Sequence, residues 1–163
     1  MRIKSILIFL GVVIGINIKL NLPSFAQGGT PNISCSISAT TLNFGNYDVF
    51  SFTALTTSST LQINCTTQGN STVNLLTTSL GKGNNSSTFS PRQMSNNSQL
   101  LNYDIYTTDS NQTTIWGDGT SGTSTITNSK VVSVNLPIYG TIPARQDVTV
   151  GTYQDNVSIT VNF

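Results

Sequence analysis

Two cysteines, six aspartates and a large supply of hydroxyls are the main side chains here that could do chemistry. Cys35 and Cys65 lie 30 residues apart, not at the Cys-x-x-Cys spacing of a redox or metal pair. The sequence has no His, so the commonest general base and metal ligand is missing. Ser residues are plentiful, but none has a base to activate it. Asp48, Asp104, Asp109, Asp118, Asp147 and Asp155 are the acidic residues, and there is no Glu. Asp109, Asn111 and Asp118 lack the spacing and the bidentate Glu of a calcium loop. No Gly-rich phosphate loop is present. Trp116, beside Gly117-Asp118-Gly119, could stack on a sugar but is expected to pack the end of a hairpin. Arg92 and Arg145 stand alone and are expected to hydrogen-bond loops. The expectation is no catalysis, no cofactor and no metal.

Elements with little helical character must carry these residues. Of 163 residues, 64 are Thr, Ser or Asn, and only 8% are charged. Thr, Ser, Asn and Val favour strands and turns, whereas helices draw on Ala, Leu, Glu and Lys. The length suits one domain. A formal charge of +1 without Lys/Arg clusters removes the electrostatic case for a nucleic-acid partner.

The first 26 residues read as an export signal. Arg2 and Lys4 precede an apolar run from Ile6 to Ile18, and Ser24 and Ala26 occupy the small-residue positions of a cleavage region. The run is shorter than the roughly 20 residues needed to span a bilayer, so it reads as a cleaved leader and not an anchor. Cleavage after Ala26 leaves residues 27–163, with four basic and six acidic side chains, no membrane span, and no new amino-terminal Cys for lipid anchoring. Cleavage after Gly15 is the alternative. It would leave Ile16 to Leu22, which alternates apolar and polar residues at the strand period. Either way both cysteines are exported, and an even count in an oxidising compartment argues for a Cys35–Cys65 disulfide. Closing that loop should stabilise the fold by roughly 3–4 kcal/mol.

Short alternating segments separated by turn clusters follow. Ile33, Cys35 and Ile37 lead to Leu42 and Phe44, and Leu61, Ile63 and Cys65 alternate with polar residues. Gln68-Gly69-Asn70 turns the chain into Val73-Asn74-Leu75, and Gly81 to Pro91 is a polar loop. Leu101, Tyr103 and Ile105 alternate next. Val132, Val134, Leu136 and Ile138 read as the cleanest central strand, and Val148 and Val150 continue the pattern. Val157, Ile159, Val161 and Phe163 alternate with Ser158, Thr160 and Asn162. Regularly spaced short strands of this kind predict an all-β sandwich. The last strand is expected to leave an apolar edge open, which sandwiches normally cover or blunt.

Seven blocks of the sequence, in order, resemble the spore coat protein U domain family, which includes the subunits of archaic (Csu-type) chaperone–usher pili. The first is Leu42-Asn43-Phe44-Gly45-Asn46-Tyr47-Asp48, similar to the family's LxFGxYd signature, and Ile63-Asn64-Cys65-Thr66 follows. Arg92-Gln93-Met94, Leu101 to Tyr106 and Trp116 to Gly119 continue the match. Ile138 to Pro143 and Gly151 to Val157 close it. The resemblance implies an incomplete immunoglobulin-like antiparallel β-sandwich lacking its final strand. It implies a periplasmic chaperone that fills the gap, an outer-membrane usher, and a neighbouring subunit whose amino-terminal strand replaces the chaperone's. It further implies a non-enzymatic structural subunit of a secreted, cell-surface fibre in a bacterium, serving adhesion or biofilm formation.

Val157, Ile159, Val161 and Phe163 are expected to form one wall of the acceptor groove. Four or five aliphatic side chains at ~1.5–3 kcal/mol each give roughly 6–15 kcal/mol, comparable with the ~5–15 kcal/mol stability of a whole domain. Cleavage after Ala26 leaves Gln27 to Ser34 before Cys35, with Gly28, Gly29, Pro31 and only Ile33 apolar. Such a segment cannot donate four anchors. Either cleavage is early and Ile16, Ile18, Leu20 and Leu22 are the donor residues, or the chain accepts a strand without donating one. The alternative function is a monomeric secreted coat or carbohydrate-binding module of the same fold.

Overall fold

The computed structural model describes residues 33–67, 72–97, 99–107 and 111–163, with the backbone of residues 9–10 and 18–20. The cleavage region around Ala26 and the turn at Gln68-Gly69-Asn70 lie outside the described residues. Every regular element among those described is a strand: β1 (Phe9–Leu10), β2 (Ile18–Leu20), β3 (Ser34–Ala39), β4 (Gly45–Asn46), β5 (Leu55–Thr66), β6 (Val73–Leu80), β7 (Arg92–Asn96), β8 (Gln99–Tyr106), β9 (Ile126–Val131), β10 (Ser133–Ile142) and β11 (Ile159–Asn162).

One sheet has the order β3-β5-β10-β8-β7, and a second has β2-β11-β6-β9. β1 and β4 form a small separate ribbon. All pairings are antiparallel except β2 with β11. The all-β sandwich expected from the strand pattern is what the chain forms. Alternation decides which faces meet. Leu61, Ile63 and Cys65 of β5, Leu101, Tyr103 and Ile105 of β8, and Leu136, Ile138 and Ile142 of β10 are buried. They form one apolar cluster with Val73, Leu76, Leu80, Ile159 and Val161 of the second sheet. The intervening Gln62, Asn64 and Thr66 face outward, as a two-layer fold requires.

Two local expectations shift. Val134 packs half-buried against the core and Leu136 and Ile138 are buried, as expected, while Val132 is exposed at the bend between β9 and β10. The chain crosses there from the second sheet, where β9 pairs with β6, to the first, where β10 pairs with β5, and the bend takes Val132 out of the pleat that would have buried it. Val148 and Val150 form no strand, and Val150 is exposed. Within β10, Gly140 is needed for close approach: a Cβ there would stand 2.7 Å from both Leu42 Cδ2 and Phe44 Cζ.

Cys35 and Cys65 are direct partners across β3 and β5 and are joined as a disulfide. The bond ties the edge strand β3 to the first-sheet interior.

Candidate strand-acceptor edge

β11 forms because Ile159 and Val161 alternate with Thr160 and Asn162, so one face enters the core and the other meets water. One flank of β11 pairs antiparallel with β6, placing Ile159 opposite Leu80 and Asn162 opposite Thr77. Val157, Ile159 and Val161 are all buried, and Phe163 packs half-buried against the same cluster. All four sequence-predicted wall residues therefore belong to one apolar surface. Between the sheets, Ala39, Thr40, Leu80, Ile105, Ile138, Val157 and Ile159 line a small, almost wholly apolar cavity of about 10 Å³. It lies where the end of β3 approaches the second sheet.

The other flank of β11 was expected to be open. The backbone of β2 lies along it in parallel, with Ile18 opposite Ile159, Lys19 opposite Thr160 and Leu20 opposite Val161. This segment belongs to the stretch expected either to leave with the leader or to serve as a donor strand. Ile16 and Leu22, the other two residues of that expectation, lie outside the described residues.

A polar network fixes the approach to β11. Ser95 and Gln154 exchange two backbone hydrogen bonds at 2.9 and 3.0 Å. The next residue, Asp155, is 2% exposed. Its Oδ2 accepts from the Tyr103 hydroxyl at 2.6 Å, and its Oδ1 accepts from Asn84 N, Asn85 Nδ2 and Asn156 N, each at 2.9 Å. A buried carboxylate must be satisfied in this way or its desolvation would dominate. Gly83, at φ +90°, lies so close that any Cβ would collide with Asp155 Oδ2. Gly81 N then donates to Ser158 O at 2.9 Å, one residue before β11 begins.

Arg92 holds the other side of the same loop. Fully buried, it donates from Nε to Gly81 O, from Nη1 to Phe89 O and from Nη2 to Trp116 O, at 3.0, 3.0 and 2.6 Å. Burial lowers the guanidinium pKa, while Tyr103, Asp104 and Asp155 oppose that shift. Burial, and next the charge and hydrogen bond of Asp155, raise the Tyr103 pKa beyond any physiological pH, so its phenol stays a donor. Trp116 is buried, with Nε1 donating to Thr78 O at 3.2 Å, so it packs in the core and offers no face to a sugar. Arg92 does hydrogen-bond loops, as expected. Arg145 instead stacks 4.3 Å over the ring of the exposed Phe52.

The Tyr103–Asp155 pair is what reading the sequence missed. Both residues lie in blocks quoted for the family resemblance, but nothing in their spacing says that one reaches the other across 52 positions.

The chain is 29% identical over 143 residues to Protein U of Myxococcus xanthus, covering 83% of this chain and 79% of that protein. It also matches a chain in the crystal structure of the CsuC-CsuE chaperone-tip adhesion subunit pre-assembly complex from archaic chaperone-usher Csu pili of Acinetobacter baumannii. That match has a TM-score of 0.57 at 26% identity and covers 81% of this chain, which spans 40% of the solved chain's length. Residues 25–160, most of the sequence, match the Spore Coat Protein U domain, and the chain belongs to that family.

Proposed function

We propose that this protein is a structural subunit of a bacterial surface fibre that accepts a β-strand from another molecule along β11. The observation that carries the reading is the flank of β11 turned away from β6. The strand alongside it, β2, comes from a stretch that reads as an export leader, and its removal would leave the flank free. An unpaired strand edge over an apolar core is a template for strand addition, in which backbone hydrogen bonds give affinity and alternate side chains give register. The similarity to a chaperone–subunit complex supports a chaperone and neighbouring subunits as the donors. An outer-membrane usher, a location at the cell surface, and a role in adhesion or biofilm formation complete the proposal, with no catalytic step.

The test is assembly. The exported protein, produced with its chaperone and usher, should give ladders of multimers that survive mild detergent and collapse on boiling. Val161→Asp, which puts a charge into the buried wall, should abolish the ladders. A wild-type protein that stays monomeric under these conditions would defeat the proposal.

A further inference from the structure

We propose that Asp155 is a positioning residue that holds β11 in strand conformation, ready for an incoming strand. This rests on the strand-acceptor reading above and adds the residue that makes acceptance efficient. β11 is four residues long and, once β2 has left with the leader, keeps its pairing with β6. A short strand with one side awaiting a partner frays easily, because few backbone bonds oppose its conformational entropy. Strand addition then costs the ordering of both strands, and fixing one beforehand removes that part of the cost.

Asp155 lies four residues before β11 and makes four hydrogen bonds, to two other segments and to its own successor. Tyr103 comes from β8 of the opposite sheet, and Asn84 and Asn85 come from the loop that follows β6. The carboxylate therefore joins both layers to the root of β11. The loop is shaped to meet it, since Gly83 leaves room for Oδ2 that any side chain would take. The two Ser95–Gln154 bonds and the Gly81–Ser158 bond bracket it. Val157 and Ile159 follow directly, so the first buried wall residue is two positions from the clamp.

The experiment uses the protein as recovered after export, as wild type, Asp155→Asn and Ile63→Val. The last is a mild core change in β5, away from β11. Hydrogen–deuterium exchange is followed at residues 157–162 and at β5. Uptake of a synthetic peptide of residues 16–22 is followed by fluorescence of a label on the peptide. Asp155→Asn should speed exchange at 157–162 about tenfold or more relative to β5 and slow peptide uptake by a similar factor. The filled complex should still melt within a few degrees of wild type. Ile63→Val should give no such selective change.

Equal acceleration of exchange everywhere, or none, would overturn the assignment. Should Asp155→Asn fail to accumulate, Tyr103→Phe removes one donor to the carboxylate and should give the same selective pattern, weaker in size. If wild type binds no peptide while the exchange pattern holds, strand acceptance is what fails and the clamp on β11 stands.

Discussion

The carboxyl of Asp104, on β8, is half-buried, and its Oδ1 has no hydrogen-bond partner among the described residues, so its protonation should register in stability. Burial raises its pKa above 3.8, partly offset by a hydrogen bond with Ser90 and by the Arg92 charge. A carboxyl with a higher pKa folded than unfolded binds its proton more readily in the native state. It therefore costs stability at neutral pH, and that cost disappears as pH falls through the folded-state pKa toward the unfolded one. Asp104→Asn should be more stable than wild type at pH 7 and no more stable at pH 3. Its partial exposure keeps the gain to a few tenths of a kcal/mol; urea unfolding at the two pH values checks it. The disulfide is the other residue-scale contribution. Replacing both Cys35 and Cys65 with Ser should cost about 2–5 kcal/mol in the same assay.

Among the elements, β10 and β11 show where packing is least forgiving. Gly140→Ala would press a methyl into Leu42 and Phe44 and should destabilise by about 1–3 kcal/mol in chemical denaturation, as overpacking does. Ile159→Ala should cost about 2–5 kcal/mol by removing a buried side chain. Its effect on multimer formation should exceed that of Leu136→Ala, which is equally buried but lies on β10 of the other sheet. The strands themselves were legible because period-two alternation in β5, β8 and β11 is a local signal. Val132 and Val150 were misplaced because alternation says nothing about where a bend lifts a residue out of the sheet. The disulfide was legible from the cysteine count and the expected export alone. Tyr103–Asp155 was not, since a pair between sheets depends on topology, which no local pattern encodes. Arg92 was read as a loop-binding residue, yet its full burial and three carbonyl acceptors follow only from the fold.

At the scale of the whole molecule, a well-packed two-layer body ends at β11, the edge where the proposed function has another chain add a strand. The body explains itself: one apolar cluster spans both sheets, a disulfide braces β3, and buried polar groups at Arg92 and Asp155 are satisfied. The edge is where stability and assembly become one quantity, because a bound strand stabilises whatever it binds. The most direct measurement is the unfolding midpoint of residues 27–163, oxidised, with and without a saturating peptide of alternating apolar residues such as 16–22. The account predicts a marginal fold alone and a rise of ten degrees or more with peptide, lost in Val161→Asp. A chain that unfolds cooperatively at an ordinary ~5–15 kcal/mol by itself, with a midpoint the peptide does not move, would contradict it.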